Sequence, residues 1–430
     1  MRAHGSSNYP PWYDSGMKPT PASSQRRFFY GWVIVVSCLL VSLVIFGIRY
    51  SFGVFFTPLE EEFGWSRATT SGIFSAYMIL AALFAIISGW ALDRYGPKIV
   101  VVSMGIITGI GLLLTGLVEQ SWQLYFTYSV LLAMGTGGTY AIVMSTGSRW
   151  FLKRRATVLA IIGTGAGLGT VIMAPISAQL ISAYDWRTCF TALAIIVWVT
   201  VIPAAWFLKK EPEEIGALPD SEREPTPQME IAEAAAEPRY FSLIEALKTR
   251  NFWLFFLIWF SYSFCLHLVL THVVPRAQDV GIPPVQAAAI LSVMGAVTIP
   301  SRILIGMASD RVGRKMIGAV CALIHTVAML WLIGSTEMWM FYLFAVIYGI
   351  GYGGLDPPIV ALIGDAFGLR RVGVIMGSLI VGWGLGAALG PYLAGLIFDI
   401  SSSYSAAFLV AALIMVMASI LAKSGSSHNK

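Results

Sequence analysis

The chain has 430 residues, 57% of them hydrophobic and 12% charged, with a mean hydropathy of +0.74 and a formal net charge of +5. Soluble domains carry about a quarter charged residues, so this composition excludes a water-soluble globular protein and describes one that crosses a membrane many times. The positive excess belongs to loops on one side of that membrane and gives no reason to expect a nucleic-acid partner.

Residues 1–28 are rich in Pro, Ser and Gly, lack apolar periodicity and read as a disordered tail. They are not a signal peptide, because the apolar run behind them is too long for one. Six runs able to span a hydrocarbon core of roughly 30 Å follow, at 29–56, 69–92, 99–118, 122–147, 156–182 and 188–208. Residues 209–250 form an acidic, proline-bearing linker. Within it Ser242, followed three residues later by Glu245, fits a capping box and predicts a short interfacial helix. Six more runs occupy 251–275, 286–309, 316–334, 338–364, 372–398 and 404–422, and 423–430 is a short tail. The expected fold is an all-α membrane protein of twelve transmembrane helices in two pseudo-symmetric six-helix bundles, 29–208 and 251–422.

Lys and Arg set the orientation. With both termini in the cytoplasm, Arg67, Arg187 and Arg276 are left in outer loops, Arg49 and Arg302 lie within runs, and the remaining 23 of 28 basic residues are cytoplasmic. Cys38, Cys189, Cys265 and Cys321 are scattered through apolar runs and read as small buried hydrophobes, with no metal spacing and no disulfide framework.

Charges inside the runs are costly and therefore informative. Arg302 precedes Asp310, at the charged end of its run, by eight residues, or about 12 Å of helix, which puts it near mid-membrane. A guanidinium cannot shed its proton there, so it needs an anion, and a carboxylate fits its fork in shape as well as charge. Arg49 either snorkels to the outer surface or lines the outer half of a cavity that attracts anions. Asp356, beside Pro357 and Pro358, is the deep carboxylate at similar depth to Arg302. It either pairs with Arg302 in the empty site and takes a proton when substrate displaces it, or satisfies local backbone at the proline pair. His267 is a donor or proton acceptor in a polar cavity, or a histidine satisfied by a neighbour. Tyr140, Tyr352 and Trp383 each offer an apolar wall with a polar tip, or simply pack. His272 lies nearer the outer end, and His325 sits on a run expected to face lipid.

The halves repeat. Gly89, Asp93, Arg94, Gly96 and Lys98 match Gly306, Asp310, Arg311, Gly313 and Lys315 at an offset of 217. Gly135, Gly137, Gly138, Arg154, Arg155 and Pro175 match Gly351, Gly353, Gly354, Arg370, Arg371 and Pro391 at an offset of 216. At these offsets Tyr50 is the mate of His267, and Tyr140 of Asp356. Asp93, Arg94, Asp310 and Arg311 read as cytoplasmic latches between helices. The glycines 163, 165, 167 and 169 do not fit a nucleotide-binding G-x-G-x-x-G and read as a close-packing stripe.

The twice-repeated G-x-x-x-D-R-x-G-x-K loop, with six runs on either side of a linker, resembles the major facilitator superfamily over residues 29–422. Tyr30-Gly31-Trp32, the Arg49–Phe56 segment, Trp150-Phe151, Arg154-Arg155 with the glycines that follow, and Arg302 four residues before Gly306 resemble the monocarboxylate transporters and the related oxalate/formate exchangers. The resemblance implies a monomeric, multi-pass transporter of the cell membrane, embedded in the lipid bilayer and without a cofactor. It also implies that Arg302 holds a small carboxylate and that the eighth, seventh, tenth and eleventh helices surround the cavity of the second half. Three positions depart from the pattern. Thr298 stands where animal members have a proton-coupling aspartate, Tyr50 stands where they have a lysine, and 372–398 lacks the lysine of oxalate exchangers. A doubly charged substrate is disfavoured on that account.

The favoured expectation is a secondary transporter of small organic anions, with Arg302, Arg49, Tyr50, Tyr140, His267, Tyr352 and Trp383 around the substrate and Asp356 or His267 carrying a proton. Symport is preferred over anion exchange. An exporter of another substrate class is the alternative. An enzyme is disfavoured because no nucleophile–base pair or metal cluster is present in the sequence pattern.

Overall fold

A computed structural model describes residues 29–151, 155–215, 243–367 and 372–424. In lipid every backbone N–H and C=O must find a partner within the protein, so the apolar runs become helices. Helix α1 is Gly31–Tyr50, resumed after Ser51 as Phe52–Phe63. Helices α2 and α3 are the two parts of Arg67–Gly116, divided at Gly96. Helix α4 runs from Ser121 to Trp150 and includes a π-helical stretch, Tyr125–Leu132. Helices α5 (Arg155–Ala183) and α6 (Trp186–Trp206) complete the first half. The second half is α7 (Arg250–Asp279), α8 (Pro284–Val312), α9 (Arg314–Ile333), α10 (Met338–Phe367), α11 (Val372–Ser401) and α12 (Ser405–Ser424). Among the described residues, eleven apolar helical stretches are long enough to cross a membrane, and the break at Gly96 divides one of them into two crossings. A short helix, Leu243–Leu247, precedes α7; Ser242, its expected cap, lies outside the described residues.

Local chemistry places the ends. Ser66 and Thr249 accept from the N–H groups of Thr69 and Phe252 at the starts of α2 and α7. Asp185, in the α5–α6 turn, accepts the Thr188 N–H at 2.5 Å, which holds its carboxyl below the usual carboxylate range. The repeated loop has a backbone reason: Gly96 (φ 77°) and Gly313 (φ 111°), mates in the repeat, both occupy positive φ where an L side chain would be strained.

The packing of the first half is copied in the second. Helix α1 lies on α5 and α7 on α11; α2 lies on α4 and α8 on α10; α3 lies on α6 and α9 on α12. The halves meet where α2 packs on α11, α5 on α8, and the end of α1 on α7. The face at which α1 begins and α12 ends is here called the termini face. The four cysteines are buried and unpaired by disulfides.

The glycine stripe of α5 serves two interfaces. Gly165 and Gly169 face α1, where a Cβ on Gly169 would strike the Leu43 carbonyl and sit 2.7 Å from the Gly47 nitrogen. Gly163 and Gly167, on another face, meet α8 at Arg302 and Gly295. Gly169→Ala is therefore expected to destabilise the first half by about 1–3 kcal/mol, since backbone cannot yield as a side chain does. Thermal unfolding in detergent checks this, and an unchanged melting temperature contradicts the close approach.

Candidate functional site

The deep charges of the second half come together. Arg302, on α8, places Nη2 3.2 Å from Asp356 Oδ2, on α10, and both side chains remain about a quarter exposed (26% and 25%). This pair engages one edge of the guanidinium. Nη1 lies on the α5 side, where a Cβ built on Gly163 would be 3.2 Å away, and Nε is buried without a partner among the described residues. Helix α10 continues through Pro357 and Pro358 rather than breaking there.

Arg49 does not snorkel. Its Nη2 donates to Met78 Sδ at 2.9 Å, and its guanidinium carbon lies 5.5 Å from the Tyr77 ring centre, both on α2. Its Nε is buried and unpartnered among the described residues, and no carboxylate is paired with it there. The reason is packing: α1 turns this face into its own half, toward a soft sulfur acceptor and a ring face.

Tyr50, next in sequence, is within electrostatic range of both guanidiniums, and its hydroxyl faces that of Tyr352 across the halves. Tyr140 is in electrostatic range of Arg302 and Asp356 and keeps 54% of its surface exposed. The Tyr262 hydroxyl, which sequence reasoning missed, donates to the Tyr352 carbonyl at 2.9 Å and so ties α7 to α10.

His267 is fully buried beneath an aromatic shell: ring centres of Tyr50, Phe74 and Trp383 lie 6.1, 6.1 and 5.8 Å away. Its Nδ1 is 2.9 Å from the Ser263 carbonyl oxygen, an acceptor, so Nδ1 carries a proton, and in the neutral ring Nε2 presents a lone pair. Nε2 has no partner among the described residues. Trp383 is held to the same helix by its carbonyl, which accepts from Ser263 Oγ at 2.7 Å.

The other sequence candidates fall elsewhere. Thr298 spends its hydroxyl on the Met294 carbonyl at 2.8 Å. His272 bridges Tyr404 and the Pro391 carbonyl. His325 is not lipid-facing: it is fully buried, 4.6 Å from the Tyr348 ring of α10, in the space left by Gly351. In the repeated loops Asp93 pairs with Arg149 of α4 at 3.2 Å, and its main-chain carbonyl accepts from Lys210 Nζ. Its sequence neighbour Arg94 instead packs on the rings of Trp90 and Tyr95. Arg311 is exposed, and the Asp310 side chain lies outside what is described.

Sequence reasoning also passed over a cluster at the face opposite the termini. Arg67, first residue of α2, forms a double hydrogen bond with Asp279 at the end of α7 (2.7 and 2.6 Å). It also meets Glu60 of α1 and Tyr404. The signal available was its rarity, as one of three arginines that the charge bias leaves off the Lys- and Arg-rich side.

Two repeated six-helix bundles meeting at a charged, aromatic centre are an architecture of membrane transport proteins, and the relatives that this chain matches are transporters, not enzymes. The family model described as Major Facilitator Superfamily matches residues 38–332 and 273–424, and the chain belongs to that family. It is 25% identical over 403 residues to monocarboxylate transporter 12 of Xenopus laevis, covering 91% of this chain and 88% of that one. It is 24% identical over 416 residues to the oxalate:formate antiporter of Oxalobacter formigenes, covering 94% and 93%. Among solved structures it resembles a D-xylose-proton symporter, with a TM-score of 0.74 at 12% identity over 93% of this chain and 100% of the other. A bacterial homologue of the human lysosomal transporter Spinster, inward-facing and unoccupied, gives a TM-score of 0.73 at 16% identity over 92% and 97%.

Proposed function

We propose that this protein carries small monocarboxylates across the cell membrane by alternating access, with proton symport. The observation that carries the substrate class is the charge balance of the centre. Two guanidiniums, Arg49 and Arg302, stand within range of Tyr50, and one carboxylate, Asp356, is paired with Arg302. A net single positive charge in a low-dielectric centre favours a singly charged anion over a dianion or a neutral solute. The names of the relatives, monocarboxylate transporters and an oxalate:formate antiporter, support the same class. In this reading Arg302 anchors the carboxylate, Arg49 supplies the second cation, and Tyr50, Tyr140, Tyr352 and Trp383 wall the substrate. His267 presents its Nε2 lone pair behind them. The Lys and Arg count supports cytoplasmic termini. Asp93 with Arg149 braces the cytoplasmic face of the first half.

Asp356 carries the proton. Thr298 provides no titratable group, so the exchangeable proton falls to Asp356, with His267 as the other candidate. Anion exchange is the second reading, favoured by the likeness to the antiporter and by that same threonine.

A thermal-shift panel on purified protein tests the substrate class. Short monocarboxylates are expected to raise the melting temperature, since a ligand at a hundred times its Kd adds about 2.7 kcal/mol to the native state. Equal shifts with neutral sugars, or shifts with dicarboxylates alone, would overturn it.

A further inference from the structure

We propose that Arg67 is the outer gate residue of the transport cycle, holding the two halves together at the face opposite the termini; this rests on the alternating-access reading above. The two halves are bound there by side chains of opposite origin. Arg67 belongs to the first half, and its partner Asp279 to the second, 212 residues away, joined fork to fork at 2.6 and 2.7 Å. A second carboxylate of the same half, Asp399 at the end of α11, receives the backbone N–H groups of Arg67 and Ala68, each at 2.8 Å. It thus sits on the positive end of α2 from across the interface. The guanidinium also lies 3.8 Å from the centre of the Phe398 ring.

The surrounding contacts are built for closure. A Cβ on Gly53 of α1 would be 2.5 Å from the Leu270 carbonyl of α7, so the helices touch backbone to backbone. Thr57 Oγ1 donates to Gln278 Oε1 at 2.5 Å across the same seam. The repeat supplies an internal comparison. Glu62, which stands 217 residues before Asp279, pairs with Arg187 of its own half. The equivalent carboxylate therefore braces one bundle in the first half and bridges two bundles in the second. Rocking the halves apart at this face must break the Arg67–Asp279 fork and pull Asp399 from the start of α2. Arg67 then keeps Glu60, 3.3 Å away in its own half, as a partner in the opened state. The cost of opening is thereby set by the two aspartates, and Glu60 limits it.

The test uses Thr271→Cys, at a fully buried position on α7 behind the gate, probed from outside with a membrane-impermeant maleimide. The four native cysteines are buried, and the parent protein measures background. Arg67→Gln and Asp279→Asn are each expected to raise the labelling rate about tenfold, while Arg67→Lys, which keeps the charge but not the fork, gives a rate between those variants and the parent. A Thr57→Cys, Gln278→Cys pair, cross-linked by oxidation, is expected to stop transport until reduced. If cross-linking stops transport but neither neutral variant changes labelling, Arg67 is not the gate and the rocking reading survives. If the cross-linked protein transports normally, the rocking reading fails and takes this proposal with it.

Discussion

Arg302→Lys is expected to reduce carboxylate uptake at least about 30-fold in protein that still folds and inserts. The charge survives the substitution, but the planar fork does not. Arg302 spends one edge on Asp356 and holds Nη1 toward α5, leaving two nitrogens with directions fixed by α8. An ammonium is a point charge on a flexible stem and cannot serve a neighbouring carboxylate and a bound one at once. Losing one charge-assisted hydrogen bond costs about 2 kcal/mol, which is the factor given. Uptake of labelled short monocarboxylates into vesicles, normalised to inserted protein, is the measurement. Uptake near the parent rate removes Arg302 from the site.

Asp356→Asn is expected to separate two activities. The substitution preserves the shape of the side chain and removes the internal anion that competes for Arg302. Bound substrate should be held as well or better, so exchange of labelled for unlabelled substrate continues. Accumulation driven by a pH gradient should vanish, with the inside-to-outside ratio falling to about one, because the group that takes up the proton on loading is gone. If the Asn variant still concentrates substrate when a pH gradient is the sole driving force, Asp356 is not the carrier. His267, whose Nε2 is unpartnered, is then tested next, and plain exchange follows if its Gln variant also accumulates. The two experiments distinguish anchor from carrier. An anchor variant loses both activities, and a carrier variant loses one.

The amino-acid sequence by itself determined the fold class, the membrane setting and the family. Those rest on one-dimensional quantities: run length against bilayer thickness, and an offset that brings Gly96 onto Gly313 and Asp93 onto Asp310. Depth along a helix is also one-dimensional, since each residue adds about 1.5 Å, and by that count Arg302 and Asp356 share a level. The structure sets them in contact at 3.2 Å.

Direction around a helix, and contact between distant helices, were decided by tertiary packing. Arg49 could be placed at a depth but not on a face, and packing turned it onto Met78 and Tyr77. The run that carries His325 is expected to face lipid, yet Gly351 leaves a gap on α10 that the imidazole fills. The α5 glycines were legible as a stripe, but the split of Gly165 and Gly169 to α1 from Gly163 and Gly167 to α8 depends on which neighbours lie on either side. Arg67 shows the limit most sharply. In sequence it is a loop arginine beside a helix cap, and its partners lie 212 and 332 residues away in the other half. Hydropathy and helical period are local sums over a few turns. An ion pair across two bundles forms only when both have been built and brought together.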